Sequence, residues 1–589
     1  MAMDKDPSRR YHSAHDFDRD LLRFLEGMPV RARRATLGYR LSKLVARHKM
    51  ASLMGIAIVA VLAGSFLFQY WQSRLTDRRV AQFEKIADAA TSELTEQLRQ
   101  SSLPVAIQAS LFSTALKSLD RLRQSSGDDP RVLLSLSNAY VRMGDFEGSP
   151  FVANLGNLNA ATVSYEQALH SAIEAHERLH SDETSQAVIQ AYQRLGGIQA
   201  FLGKLPAARD SYQQGLSFAR AFWQQKPADP VRKRSLAISY AGLGLQLMTL
   251  EPGDALKNFR SAFEVFGSDQ NGNEDHDQTL VKLYWYLGRT LNQLGHQSEA
   301  LGNYWKSVAI AESVAQRFPA DRQAKRQLFS AYRDVVLPLA GRDMLNVGDS
   351  KKAQVYARKA LAIAEESAAA DPKNVQAHSD LAFADVGMGD SFRLTQPATA
   401  VEWYRKAILL NKEMDQVYVV RYWLAERDEA LAEVLLNRKD APEQLHLLQE
   451  ANAIRSELVG SGANGPHDRV HLMRSYCNLS DAEVATRNLV SARRHADSAL
   501  PFLGEFKVSS PSLVVLREMG FCFESMGNVR RQIATDRSLS PLQRSEAEGS
   551  SRDWYTKSAA VWAEWDRRGA ATPESEAERR KVERLLQTR

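Results

Sequence analysis

The five residues "HERLH" at 176–180 spell H-E-x-x-H, the spacing at which two histidines one helical turn apart hold zinc while the glutamate between them activates water. A hydrolytic site of this kind also needs a third protein ligand and a helix that turns both imidazoles to one side. Ligands are scarce here. No glutamate occurs between Glu183 and Glu251, the next histidine after His180 is His276, and nothing in the spacing of Asp182 or Asp210 favours either as the third ligand. The apolar stripe of this helix runs through Ala168, Ala172, Ala175 and Leu179. At about 100° per residue, His176 lies about 80° and His180 about 120° from Ala168, so both belong to a solvated flank and zinc hydrolysis is the weaker reading.

A second stretch, "GSGANG" at 460–465, reads as G-x-G-x-x-G. Phosphate-cradling loops of that type follow a strand. This one follows the helical "ANAIRSELV" and runs into Pro466, which marks a turn between helices. No other motif asks for a metal or a cofactor.

The elements that would position any site follow from periodicity. In "YWYLGRTLNQLGHQSEALGNYWKS", Tyr284, Leu287, Gly288 and Leu291 share one helical face, Gly295 marks a turn, and Ala300, Tyr304 and Ser307 line a second helix. The same spacing recurs at Tyr192, Leu195, Gly196, Gly203, Ala208, Tyr212 and Gly215. Weaker copies are Ala161/Tyr165/Ala168, Ala255/Phe259/Ala262, Ala353/Ala357/Ala360, Ala400/Tyr404/Ala407 and Ala492/Ala496/Ala499, with a degenerate copy near 420–455. A last copy opens at Leu516, Met519, Gly520, Phe523 and Gly527 and closes, after an apparent insertion, with "SSRDWYTKSAAVW". The pattern resembles the tetratricopeptide repeat, in which small residues let two antiparallel helices approach and large ones fill the gap to the next pair. The resemblance implies an all-α superhelix of about nine helix pairs over 127–589. Such arrays bind extended peptides or protein segments along a concave face made by the first helix of each pair. In this register the inward positions include Arg142, Phe201, Lys282, Trp285, Arg289, Asn292 and Arg342, and Trp285 between Lys282 and Arg289 offers a platform for an acidic or carboxylate-bearing peptide. The competing reading packs Trp285 against its neighbouring helix.

Charge narrows the partners. The net charge is +6, and residues 1–49 carry 12 Lys and Arg against 6 Asp and Glu, so the remainder is balanced. Phosphate affinity needs clustered positive charge, which argues against a nucleic-acid partner. Residues 50–73, "MASLMGIAIVAVLAGSFLFQYWQS", carry no charge and are long enough to span a bilayer. Seven Lys and Arg with no acid in 31–49, against four with three acids in 74–91, place the N-terminus in the cytoplasm and the repeats outside the inner membrane. Val80, Phe83, Ala87, Ala90 and Leu94 make a short coiled-coil seam within the stalk, 74–126. With the small pairs Ala51/Gly55 and Ala60/Gly64, they permit a homodimer. Pro104 ends that segment, and another helix follows over 105–124. The two cysteines, Cys477 and Cys522, fall in consecutive repeats, where either one disulfide or two buried thiols is open.

The N-terminus adds a resemblance. Lys5, Asp6, Pro7, Arg10 and Tyr11, followed by Thr36, Tyr39 and Arg40, resemble the end of the C-terminal lobe (1–29) and the basic juxtamembrane segment (30–49) of bacterial membrane serine/threonine protein kinases. That family continues with one span and extracytoplasmic tetratricopeptide repeats, the order expected here. The glycine-rich loop with its lysine, H-R-D and D-F-G are all missing, so nothing in this chain would position nucleotide and magnesium. The chain is therefore read as a non-enzymatic scaffold or sensor. The alternative is that it forms the sensor portion of a truncated kinase.

Overall fold

The computed structural model describes residues 11–33, a few isolated positions up to 65, and 104–587 apart from short breaks within them. Two compact units divide at residues 85 and 86. In the first, helix α1 (Ala14–Leu25) starts at Ser13, whose hydroxyl caps the Asp16 N–H. Asp20 accepts Tyr11 Oη–H at 2.7 Å and the N–H groups of Arg31 and Ala32, which folds the following segment back onto the helix. The apolar residues Leu21, Leu22, Phe24 and Leu25 stay exposed.

The second unit is entirely helical in its described residues. Helix α2 (Val105–Ser126) leads into α3 (Pro130–Gly148) with α4 (Leu158–Arg178), α5 (Asp182–Phe201) with α6 (Leu205–Gln225), and α7 (Pro230–Leu247) with α8 (Pro252–Phe266). Next come α9 (Glu274–Gln293) with α10 (Gln297–Arg317), α11 (Arg322–Ala340) with α12 (Ser350–Ala370), and α13 (Val375–Phe392) with α14 (Pro397–Lys412). The array ends with α15 (Tyr418–Arg438) and α16 (Ala441–Gly460), α17 (Pro466–Ala485) and α18 (Leu489–Leu503), α19 (Leu513–Ala534) and α20 (Pro541–Arg567), and α21 (Pro573–Gln587). Together these make nine antiparallel pairs flanked by single helices, a tetratricopeptide-like superhelix.

Local chemistry sets the boundaries. Asp129, Asp229 and Asp321 each cap the helix that follows them, and Pro130 and Pro230 occupy a first-turn position where a missing N–H costs nothing. Gly203 and Gly295, at φ +72° and +92°, make the tight turns of two pairs in a region that side chains disfavour. The stretch that reads as an insertion, 528–549, completes α19, turns at 535–540 and begins α20 with a Ser540/Gln543 capping box.

Within the pairs, one packing device recurs in a form that spacing alone does not reveal. Met-Gly-Asp at 143–145 and 388–390 and Met-Gly-Asn at 526–528 put a glycine on the first helix under a tyrosine ring of the second. A Cβ on Gly144 or Gly389 would lie 2.6 Å from Tyr165 or Tyr404. The tyrosine hydroxyl then donates to the next residue, Tyr165 to Asp145 at 2.8 Å, Tyr404 to Asp390 at 2.6 Å and Tyr555 to Asn528 at 2.9 Å. The absent Cβ thus lets the ring lie flat and bury its hydroxyl without orphaning it. Between pairs, Cys477 on α17 and Cys522 on α19 form a disulfide with Cα atoms 5.3 Å apart.

The superhelix closes on itself. The Val105 N–H at the start of α2 donates to Asp371 at the end of α12, and the Val375 N–H of α13 donates to the Asn154 carbonyl in the α3–α4 connection. At the other end Arg393 of α13 pairs with Glu574 of α21, and Arg517 of α19 donates to the Arg342 carbonyl.

One expectation is corrected. Among the described residues no helix is long and apolar enough to cross a membrane, so the single transmembrane helix and the single-pass inner-membrane location read from 50–73 are not supported. Apart from 64 and 65, that stretch lies outside the described residues, as does the seam at 80–94.

Candidate functional site

The first helices of the pairs, with the start of α2 and the end of α12, enclose a cavity of about 1450 Å³. Drug-sized ligands fill roughly 300–1,000 Å³, so the space suits a short peptide better than a small metabolite. Six of the seven inward positions read from the repeat register line it: Arg142, Phe201, Lys282, Trp285, Arg289 and Arg342. Asn292 does not. It is buried, and its amide grips the backbone of Leu345 from both sides, donating to the carbonyl at 2.7 Å and accepting the N–H at 3.2 Å. This residue fastens the α11–α12 connection to α9.

Each lining residue has its own environment. Trp285 is half-buried against Tyr286, 4.7 Å away between ring centroids, with the Arg289 guanidinium 6.0 Å from its ring. Its body packs on the core while its face borders the cavity. Arg342 is held by the closure, donating to the Glu426 carbonyl and pairing with Glu433 at 3.5 Å. Arg142 approaches Asp145 only at 4.0 Å, since Arg194 already takes that carboxylate at 3.0 Å. Phe201 meets Trp423 of α15 edge to face, 6.1 Å between centroids.

Four residues that the repeat register did not single out, Phe383, Trp423, Arg333 and Arg427, also line the wall. Phe383 of α13 stands against Trp423 at 4.5 Å, and the Arg333 and Arg427 guanidinium groups lie 5.1 Å and 4.8 Å from its ring. A signal existed in "ERDEA" at 426–430. Three consecutive charges after 426 sit in a helix that must bury residues on several sides, so some of them had to point inward.

Charge in the cavity is largely compensated. Arg326 pairs with Asp380, Arg333 with Asp334, and Lys325 with Glu366. Lys282 and Arg289 have neither ion-pair nor hydrogen-bond partners among the described residues. Lys282 keeps solvent contact within the concavity, yet the surrounding protein and then Arg194, Arg234 and Arg326 lower its pKa to about 8. Burial raises the Asp334 carboxyl, against the opposing pull of Arg333 and Arg289.

The zinc motif resolves differently. Helix α4 ends at Arg178, Leu179 caps it with extended backbone and is exposed, and His180 lies beyond. The two imidazoles stack on each other at 5.0 Å; His176 Nδ1 contacts Thr184 Oγ1 and His180 Nδ1 the His176 carbonyl. No group of three His, Cys, Asp or Glu among the described residues could hold a metal ion. The glycines of 461–465 lie outside the described residues, between α16 and α17.

No family model and no curated protein sequence matches the chain. Among solved structures it is similar to the human IFIT1 dimer with m7Gppp-AAAA, at 12% identity and TM-score 0.42, covering 86% of this chain and 95% of that one. It is also similar to a Rap protein complexed with Competence and Sporulation Factor, at 10% identity and TM-score 0.39, covering 68% and 99%. A third likeness is to a signal-transduction ATPase with a tetratricopeptide-repeat sensor from Pyrococcus horikoshii, at 12% identity and TM-score 0.36, covering 67% and 53%.

Proposed function

We propose that the array is a binding module that holds a peptide or an extended protein segment in its central cavity, serving as a scaffold or sensor without catalysis of its own. The observation that carries this reading is the continuous cavity built by successive first helices, with Trp285 at its border between the unpaired cations Lys282 and Arg289. Aromatic faces beside unpaired cations bind peptide side chains and acidic groups at little entropic cost, because the helices hold them in place. The test is retention of a defined peptide library on the immobilised full chain. Trp285→Ala should retain at least tenfold less peptide while keeping its helical content and melting temperature, and equal retention removes the site.

A second reading, the sensor portion of a longer serine/threonine kinase, draws support from α1. Its exposed Leu21, Leu22, Phe24 and Leu25 are what a helix from a larger lobe would show once separated from it. Sequencing the DNA upstream of the Met1 codon tests this, since an absence of in-frame H-R-D and D-F-G removes it.

A further inference from the structure

Arg427 is 2% exposed, borders the cavity, and has no ion-pair partner among the described residues. Its Nε, Nη1 and Nη2 atoms are all buried without a hydrogen-bond partner. A guanidinium carries five donors, and leaving them unserved in the interior is among the more expensive arrangements a fold can contain. Burial lowers its pKa to about 10, while the nearby carboxylates of Glu426, Asp385 and Asp428 pull the other way without pairing with it. The rings of Phe383 and Trp423 lie 4.8 Å and 5.9 Å from the guanidinium carbon and fix its plane. Arg333, the other guanidinium on Phe383, is committed to Asp334 at 2.7 Å.

We infer that Arg427, framed by Phe383 and Trp423, is the anchor for a carboxylate of a short acidic peptide bound in the cavity. The inference rests on the peptide-binding reading above and gives it a ligand chemistry. One unpaired guanidinium on this wall matches a monoanionic group, and its planar fork pairs with a carboxylate through two parallel hydrogen bonds. A phosphate polymer fits poorly, because Asp and Glu are at least as numerous as Lys and Arg around the cavity. Phe201 and Trp423 beside the anchor supply an apolar surface for an aromatic side chain next to the acidic one. Lys282 and Arg289 of α9, which line the same cavity, remain for a second acidic group.

The experiment measures fluorescence anisotropy of labelled octapeptide pools with the full chain. The pools share a central Glu-Phe or Gln-Phe pair, each made with a free or an amidated C-terminus, and an eight-nucleotide thymidine strand is run beside them. Wild-type protein should bind at least one carboxylate-bearing pool tenfold or more tightly than the neutral Gln-Phe amide. The Glu-Phe amide and the Gln-Phe free acid then tell whether the side chain or the chain terminus supplies the carboxylate. Arg427→Gln should erase the preference and Arg427→Lys keep part of it. With the unserved guanidinium removed, Arg427→Gln should melt at or above the wild-type temperature, whereas a lower melting point with an unchanged preference assigns Arg427 a structural role and overturns the anchor. Equal binding of acidic and neutral pools overturns the anchor but leaves peptide binding standing. Binding of none of the pools overturns both, and Arg427-dependent preference for the oligonucleotide replaces the acidic peptide with a nucleic acid.

Discussion

Phe201 and Trp423, from the second and the seventh helix pairs, meet edge to face with ring centroids 6.1 Å apart. A stack whose repeats touched only their immediate neighbours would hold these rings far apart. Their contact makes the concave groove a walled cavity. Trp423→Ala should raise amide hydrogen exchange in the last turn of α5 and the first turns of α15 while far-UV circular dichroism stays constant. Unchanged exchange in both places would mean that the other closure contacts hold the ring by themselves.

Gly389 tests the packing device. Alanine there places a Cβ 2.6 Å from the Tyr404 ring, whose hydroxyl is tied to Asp390 and cannot retreat without releasing it. Overpacking of this kind costs about 1–3 kcal/mol. Urea denaturation should show the loss as a lower midpoint with an unaltered slope. Gly387, two residues earlier and with nothing near its missing Cβ, serves as the control and should tolerate alanine.

Arg455 and Glu429 form a buried ion pair at 2.8 Å, each almost wholly inaccessible. Removing one partner strands the other charge in the interior, so Arg455→Met should cost about 3–5 kcal/mol. Arg455→Met combined with Glu429→Gln should recover most of that loss. Additive losses in the double-mutant cycle would rule out an interaction between the pair.

Asp428 predicts a dependence on pH. Its carboxyl is fully buried without a hydrogen-bond partner, and burial with the nearby charge of Glu450 raises its pKa to about 8. The folded chain therefore binds this proton more tightly than the unfolded chain does. The associated stability is complete below the ordinary carboxylate range and declines as pH rises toward about 8, above which it is lost. Other buried carboxyls, Asp385 among them, titrate in overlapping ranges, so the comparison is with Asp428→Asn. That variant should lose less stability than wild type between pH 5 and pH 8, and parallel thermal profiles would refute the assignment.

The disulfide makes a further prediction. Cys477 and Cys522 close a loop with a sequence separation of 45 residues, for which the chain-entropy argument gives about 4 kcal/mol at 25 °C. Adding a strong reductant under mild denaturation should lower the melting temperature of wild-type protein and leave Cys477→Ala/Cys522→Ala unaffected. An equal response from both proteins would show that the bridge does not form.

The helical pairs could be read from the sequence because their causes are local. Alanine, glycine and tyrosine at three- and four-residue spacing decide which helix faces can approach, and caps and glycine turns decide where each helix stops. The same register put Arg142, Phe201, Lys282, Trp285, Arg289 and Arg342 on the inner face. It could not show that Asn292 would be taken by a loop returning from α11, since that contact joins separate repeats. Whether Cys477 and Cys522 would pair depended on how two first helices stack. The burial of Arg427 beside Phe383 and Trp423, and the joining of Phe201 to Trp423, depended on the curvature accumulated over several repeats. Each residue fixes only its neighbours along the helix and across one interface, and small rotations at every interface add up, so the cavity's shape and its unserved charge belong to the assembled array alone.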